Sequence, residues 1–288
     1  MDTIAGVMGR FLAGFLFAVT LRAQDVDLHL YSEFQRIRPD GSIVEADRAD
    51  IPQEIISPAL IRNGFTTFHV AVTGRPRILY WMVLQTNPAN VLGIRVYREQ
   101  HGSNGIPDRL IEEAKPLYFL GVMPDLPVER TTHVYLIDVW TPSDTPVDRI
   151  RFEVLAKTGE WVVAPMEARV IAARVPDIPE KGCCGALPEP DRPADTAAWP
   201  PLFAALAGGT SPLPPTPGTL RSVIMRNAMQ DAALVRSFDA RTRSSLLDRA
   251  WPVMFGRLPL GPASLRGNSE AYLPLRQRIW GIASDRLQ

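Results

Sequence analysis

From Asp25 to about Pro179 the chain alternates apolar and polar residues with period two. That is the pattern of strands with one buried face. Val26, Leu28 and Leu30 alternate with Asp27, His29 and Tyr31, and Phe68, Val70 and Val72 repeat the pattern. Ile78–Leu84 (ILYWMVL) is apolar at every position and reads as a central strand covered on both sides. Val91–Tyr97, His133–Trp140, Ile150–Val154 and a long segment Trp161–Val175 complete about seven expected strands. Turn residues separate them: Pro39-Asp40-Gly41, Thr73-Gly74, Asn87-Pro88, Pro142-Ser143-Asp144 and Thr158-Gly159. This spacing predicts a mainly β fold, an Ig-like antiparallel sandwich over residues 24–179. Ile51–Asn63 is expected to be irregular, and Asp108–Lys115 to form a short helix.

The pattern then changes. Residues 180–218 are rich in proline, which removes backbone donors and blocks helices and inner strands. They read as a linker, with the apolar patch Ala197–Ala207 expected to dock on the sandwich. Beyond Thr219, Leu220, Val223, Ile224, Ala228, Val235 and Phe238 recur at helical spacing, and Ser244–Phe255 gives a second helical stretch with Pro252 bending or ending it. Residues 219–288 are therefore expected to form a helical segment packed on the sandwich, because a lone helix of this mixed character is marginal in water. At the other end, Phe11–Leu21 is a compact apolar run after Arg10, and small Ala23 follows it. This is the layout of a signal peptide over residues 1–23, predicting export to the periplasm or beyond, with an uncleaved anchor as the alternative.

Composition adds two constraints. Charged residues are 22% and hydrophobic residues 46% of the 288, enough for a full core. The formal net charge is zero, yet residues 219–288 hold eleven Arg and five acids, a net of +6. Arg241, Arg243, Arg276 and Arg278 are the densest part of this surplus; they read as a solvated helix face, with contact to an anionic surface as the alternative. Nucleic acid is not expected as a partner of an exported chain. The two cysteines, Cys183 and Cys184, are neighbours and cannot brace distant strands by pairing with each other. A structural or incidental pair, an intermolecular disulfide and a redox element all remain open readings.

Catalytic signatures are absent from the sequence: there is no His-Glu-x-x-His, no Gly-x-Ser-x-Gly and no phosphate-cradling glycine loop. Gln100–Asp108 resembles the end of a calcium loop but supplies too few oxygens, and reads as a Gly/Asn turn. No metal or cofactor is expected. Asp138 sits among apolar residues and reads as a buried, paired structural carboxylate. Tyr80, Trp81, Tyr97 and Trp140 are the candidate ligand-stacking residues, with core packing as the competing reading. Tyr80 and Trp81 face opposite ways, so one of them must leave the core.

His133–Val175, with an acid-bearing strand, Trp140-Thr141-Pro142 and a Thr145-Pro146 turn before two closing strands, resembles secreted bacterial immunoglobulin-like or fibronectin-like sandwich modules, including those beside carbohydrate-active enzymes. The resemblance implies a structural, adhesive or accessory binding module and carries no catalytic residue. The expected function is an exported, non-catalytic structural or binding protein with a protein or polysaccharide partner. The alternatives are an accessory carbohydrate-binding module, then a hydrolase whose site assembles in space. A broad apolar patch flanked by Arg would favour a protein partner, solvent-facing aromatics a sugar, and converging histidines and carboxylates an enzyme.

Overall fold

The alternating segments become strands because each side chain of one parity finds a partner sheet to bury against. In the computed structural model, the described residues are 25–33, 35–45, 57–103, 105, 107–175 and, further on, Val223, Asn227, Gln230, Asp231, Leu234, Val235, 238–251, Arg278, Ile279 and Ile282. Residues 1–24 and 176–222, and with them the signal segment, Ala197–Ala207, Cys183 and Cys184, lie outside the described residues.

Ten strands make two five-stranded sheets. They are β1 (Val26–Ser32), β2 (Ala59–Arg62), β3 (Gly64–Gly74), β4 (Leu79–Asn87), β5 (Gly93–His101), β6 (Pro107–Glu112), β7 (Tyr118–Val122), β8 (Thr131–Thr141), β9 (Arg149–Lys157) and β10 (Trp161–Arg174). The first sheet has the order β1-β3-β8-β5-β6 and the second β2-β10-β9-β4-β7. All pairings are antiparallel except β2 with β10. The fold is the β-sandwich expected, with more strands than the alternation revealed. β2, β6 and β7 are too short or too uniform to show a period. The expected helix over Asp108–Lys115 is instead β6: the segment starts at Pro107, is cut at Pro116, and bonds to the edge of β5.

The chain changes sheets between β2 and β3 at Asn63, which adopts a left-handed conformation (φ 58°). Its side-chain amide donates to Val175 O (2.9 Å) and its backbone N–H to Thr141 O (2.8 Å), so both sheets hold the crossing point. Between the sheets lies one apolar core, including Phe68, Val70, Tyr80, Met82, Val96, Tyr135, Ile137, Phe152 and Val154. Phe68 and Phe152 meet edge to face across it, with centroids 5.5 Å apart.

The sheets differ on their outer faces. The outer face of the first is buried as well: His69, Ala71, Val134 and Leu136 are all within 1% of fully covered. Ile37, held by a bridge to Ile43, covers one end. The C-terminal segment covers another: Asn227 donates to Glu33 and to Thr67 Oγ1 (3.1 Å), and Gln230 Oε1 accepts from the N–H of Phe65 (2.5 Å). Val223, Asn227, Gln230, Asp231, Leu234 and Val235 are helical and buried, on the single face that their spacing defines. The helix Ala240–Trp251 follows. It starts before the predicted Ser244 because Asp239 caps it, accepting from Thr242 N (2.9 Å) and Thr242 Oγ1 (3.0 Å); Pro252 lies outside the described residues. No helix among the described residues is long and apolar enough to cross a membrane.

In β7, Gly121 lets the Tyr80 ring lie directly over the backbone. A Cβ there would come 2.3 Å from Tyr80 Cζ. Gly121→Ala is expected to lower stability by about 1–3 kcal/mol through overpacking, measured as a lower denaturation midpoint. An unchanged midpoint would show that the Tyr80 ring is free to move away.

Candidate functional site

Three places collect chemistry-bearing side chains. The first is buried under the outer face of the first sheet. Neighbouring strands put His69 (β3) and Glu99 (β5) on that face on either side of β8, and Nε2 of His69 lies 2.9 Å from Oε1 of Glu99, with both side chains wholly covered. His69 Nδ1 faces Ser32 O (3.1 Å). Burial alone would push the imidazole pKa down. The Glu99 charge and hydrogen bond, with the backbone carbonyls, outweigh it and raise it above its ordinary value. Asp138, 2% exposed, lies in register between Thr67 and Arg95, and its charge reaches the Arg95 guanidinium. The His69–Glu99 pair is wholly covered, beside the Ser32 carbonyl, and Asp138 faces an exposed Arg95.

The second place is the end of the inter-sheet core. Tyr80 OH is hydrogen-bonded to His133 Nδ1 (2.7 Å) and to Tyr135 OH (2.5 Å). Burial, with Arg98 and His101 adding positive charge, pushes His133 down to about 4. The ring is therefore neutral at pH 7. Burial also raises both tyrosines above their ordinary value, so they remain donors. The Glu113 charge adds to the rise of both tyrosines.

The third place is the outer face of the second sheet, and it is open. Leu79 and Trp81 on β4 stand beside Tyr118, Leu120 and Val122 on β7, with Trp161 and Val163 on β10 beyond β9. Their exposures run from 39% for Trp81 to 55% for Leu79. Register makes them contiguous: Leu79 lies opposite Val122, Trp81 opposite Leu120 and Lys157, and Trp161 opposite Lys157. Trp81 stacks on Tyr118 (centroids 4.6 Å apart, planes 12° apart), and the Lys157 ammonium sits 5.2 Å from the Trp161 ring centre. Toward the opposite end the same face is charged, with Arg151–Glu153 (2.5 Å) and Arg149–Glu167 (2.9 Å) pairs.

This distribution corrects the stacking set read from the sequence. Tyr80 and Tyr97 are 1% exposed and belong to packed layers. Trp140 is half-buried on the other sheet, where it packs over Gly93 and against Phe65 (4.9 Å). Of the four, Trp81 alone reaches the open face. Ile78–Leu84 is likewise not covered on both sides, since Leu79 and Trp81 face solvent. Tyr118, Leu120 and Val122 were missed because Leu117–Val122 is uniformly apolar and shows no period. Gly102–Gly105 is a tight turn closed by Gly105 N–H to Gly102 O (2.9 Å), as read. Among the described residues no three His, Cys, Asp or Glu side chains converge as metal ligands. Arg241, Arg243 and Arg278 are exposed; Arg276 lies outside the described residues.

No family model matches the chain, and no curated protein matches it. Solved structures with a similar arrangement include a family 123 glycoside hydrolase from Clostridium perfringens, at 7% identity and TM-score 0.37, over 52% of this chain and 28% of that one. The pilus backbone RrgB of Streptococcus pneumoniae is similar at 8% identity and TM-score 0.27, over 55% of this chain and 59% of that one. The collagen binding subdomain ACE19 of an Enterococcus faecalis surface protein is similar at 5% identity and TM-score 0.24, over 43% of this chain and 99% of that one. The chain thus spans 28% of the length of the first and 59% of the second. At these identities and TM-scores no residue's role is carried across.

His133 supplies a pH test. Its folded pKa of about 4 lies below its ordinary 6.5, so the unfolded chain takes up the proton first. The contribution is complete above about pH 6.5 and shrinks as pH falls toward 4, by at most about 3 kcal/mol. His133→Gln is expected to flatten this part of the stability–pH curve, read from urea midpoints. An unaltered slope would place the acid sensitivity elsewhere.

Proposed function

We propose that the chain is a non-catalytic binding module that docks a protein partner through the open face of its second sheet. The carrying observation is the contiguous apolar row of Leu79, Trp81, Tyr118, Leu120, Val122, Trp161 and Val163 on a face that nothing among the described residues covers. The physical argument is simple. Burying one such side chain fully contributes roughly 1.5–3 kcal/mol, so seven half-exposed ones form a strong latent driving force. Aromatic residues ringed by polar ones are also the make-up of an interface core. The export read from the apolar N-terminal run fits such a role and belongs to the same proposal.

A polysaccharide partner is the second reading, favoured by three rings on one face. Against it, Trp81 and Tyr118 each spend a ring face on the other, Lys157 sits at Trp161, and the surrounding Leu and Val side chains offer sugar hydroxyls no bond.

Trp81→Ser combined with Val163→Ser is expected to lower stability by about 1–2 kcal/mol in total, through loss of the Trp81–Tyr118 stack and of cross-strand contacts. The same variant is expected to bind an apolar surface dye several-fold less. A large loss of stability would mean that the face is packed in the molecule. Retardation of the unaltered protein in gels containing soluble polysaccharide, abolished by Trp81→Ser, would decide for the sugar reading.

A further inference from the structure

The open face ends at β7, and the backbone of β7 carries more information than its side chains. Leu84 N–H bonds to Leu117 O (3.0 Å) and Met123 N–H to Ile78 O (2.9 Å). In an antiparallel pair the bonding residues alternate. Residues 117, 119, 121 and 123 therefore bond to β4. The Tyr118 N–H is taken by Lys115 O (3.3 Å), and the C=O of Tyr118 with the N–H and C=O of Leu120 and Val122 turn away from the sheet. The same three residues are 50–51% exposed.

Free sheet edges are normally blunted by charge, bulges or shortness. The other three edges are. β1 carries Asp27, paired with Arg130 (2.7 Å). β6 carries Arg109 and Glu112 and a bulge beside Gln100. β2 is four residues long, beside a bulge in β10. β7 reads Tyr-Phe-Leu-Gly-Val, with no charge, no proline and unbroken register to β4.

We infer that β7 pairs antiparallel with β7 of a second copy of this chain, about a two-fold axis at Leu120, joining the two second sheets into one. This contact lies at the rim of the docking face and leaves Trp81, Trp161 and Val163 open to the partner proposed above. The axis at Leu120 is the register that uses all three outward residues. Leu120 of each copy exchanges N–H···O=C bonds with Leu120 of the other, and Val122 N–H reaches Tyr118 C=O. Side chains of the outer face meet in the same register: Leu120 against Leu120, and Tyr118 against Val122. Such cross-strand pairs are the stabilising unit of a sheet. Asp125, which follows the strand, is held by Arg77 of its own chain (2.6 Å), so the contact rests on the backbone bonds and on these apolar pairs. A two-fold contact requires that self-complementarity.

Sedimentation of the full chain across micromolar to submillimolar concentration tests the pairing. The expected result is a reversible dimer, with the Leu120 and Val122 amides gaining protection from hydrogen exchange as concentration rises. Leu120→Pro removes only an outward-facing donor, which an edge strand tolerates; Leu120→Lys puts like charges on the axis and keeps every backbone donor. Both are expected to give monomers with unchanged far-ultraviolet circular dichroism. Trp81→Ser with Val163→Ser leaves the edge intact and is expected to stay dimeric. A monomer at every concentration would overturn the pairing, whereas the dye-binding and stability results for the face would stand or fall separately. A dimer that survives both Leu120 variants, or one lost only in the face variant, would also overturn it, placing the contact off the β7 edge.

Discussion

A β-sheet with an apolar face must bury it, and this molecule meets that constraint in three different ways. The two inner faces bury each other around Phe68, Tyr135, Met82 and Phe152. The outer face of the first sheet is buried under other parts of the same chain, the Ile37 segment and the C-terminal helical residues. The outer face of the second sheet is apolar over one half and is left open by the described residues. The functional reading follows from that third case. Among the described residues, one outer face is covered by the chain itself and the other is not.

The way the first sheet is covered explains why its buried polar groups are structural. Thr67, His69, Glu99 and Asp138 would be costly beneath packed chain if left without partners. Glu33 and Asn227 meet Thr67, Glu99 meets His69, and Arg95 feels Asp138. Removing Glu33 or Thr67 strands Asn227, so this part of the set is specific for the C-terminal segment. The His69–Glu99 pair is wholly buried, and the neutral His133 sits beside two protonated tyrosines in the core.

Much of this was legible in the sequence, and the gaps have physical causes. Strands with one polar face, such as Val26–Ser32 and Arg149–Lys157, declared themselves by alternation. The helical face was partly visible through Val223 and Val235, both buried as expected, whereas Phe238 is buried in a bend before Ala240–Trp251. Asn227 and Gln230 were invisible as contacts because polar residues on a helix normally face water; their partners, Glu33, Thr67 and Phe65, come from distant sequence. The open face was hidden for the opposite reason. Ile78–Leu84 and Leu117–Val122 are apolar at both parities, and uniform hydrophobicity signals burial on both sides whether or not a cover exists. The adjacency of Tyr80 and Trp81 did show that one must leave the core, and Trp81 does.

The asymmetry between the two outer faces is the central claim, and side-chain oxidation by hydroxyl radicals reads it directly, residue by residue. In dilute protein, Trp81, Tyr118, Leu120 and Trp161 are expected to be modified readily, while His69, Tyr97, Leu136 and Tyr80 are protected. Protection of Trp81 and Trp161 in the dilute monomer would contradict the account, because the second sheet would then be covered by the chain itself.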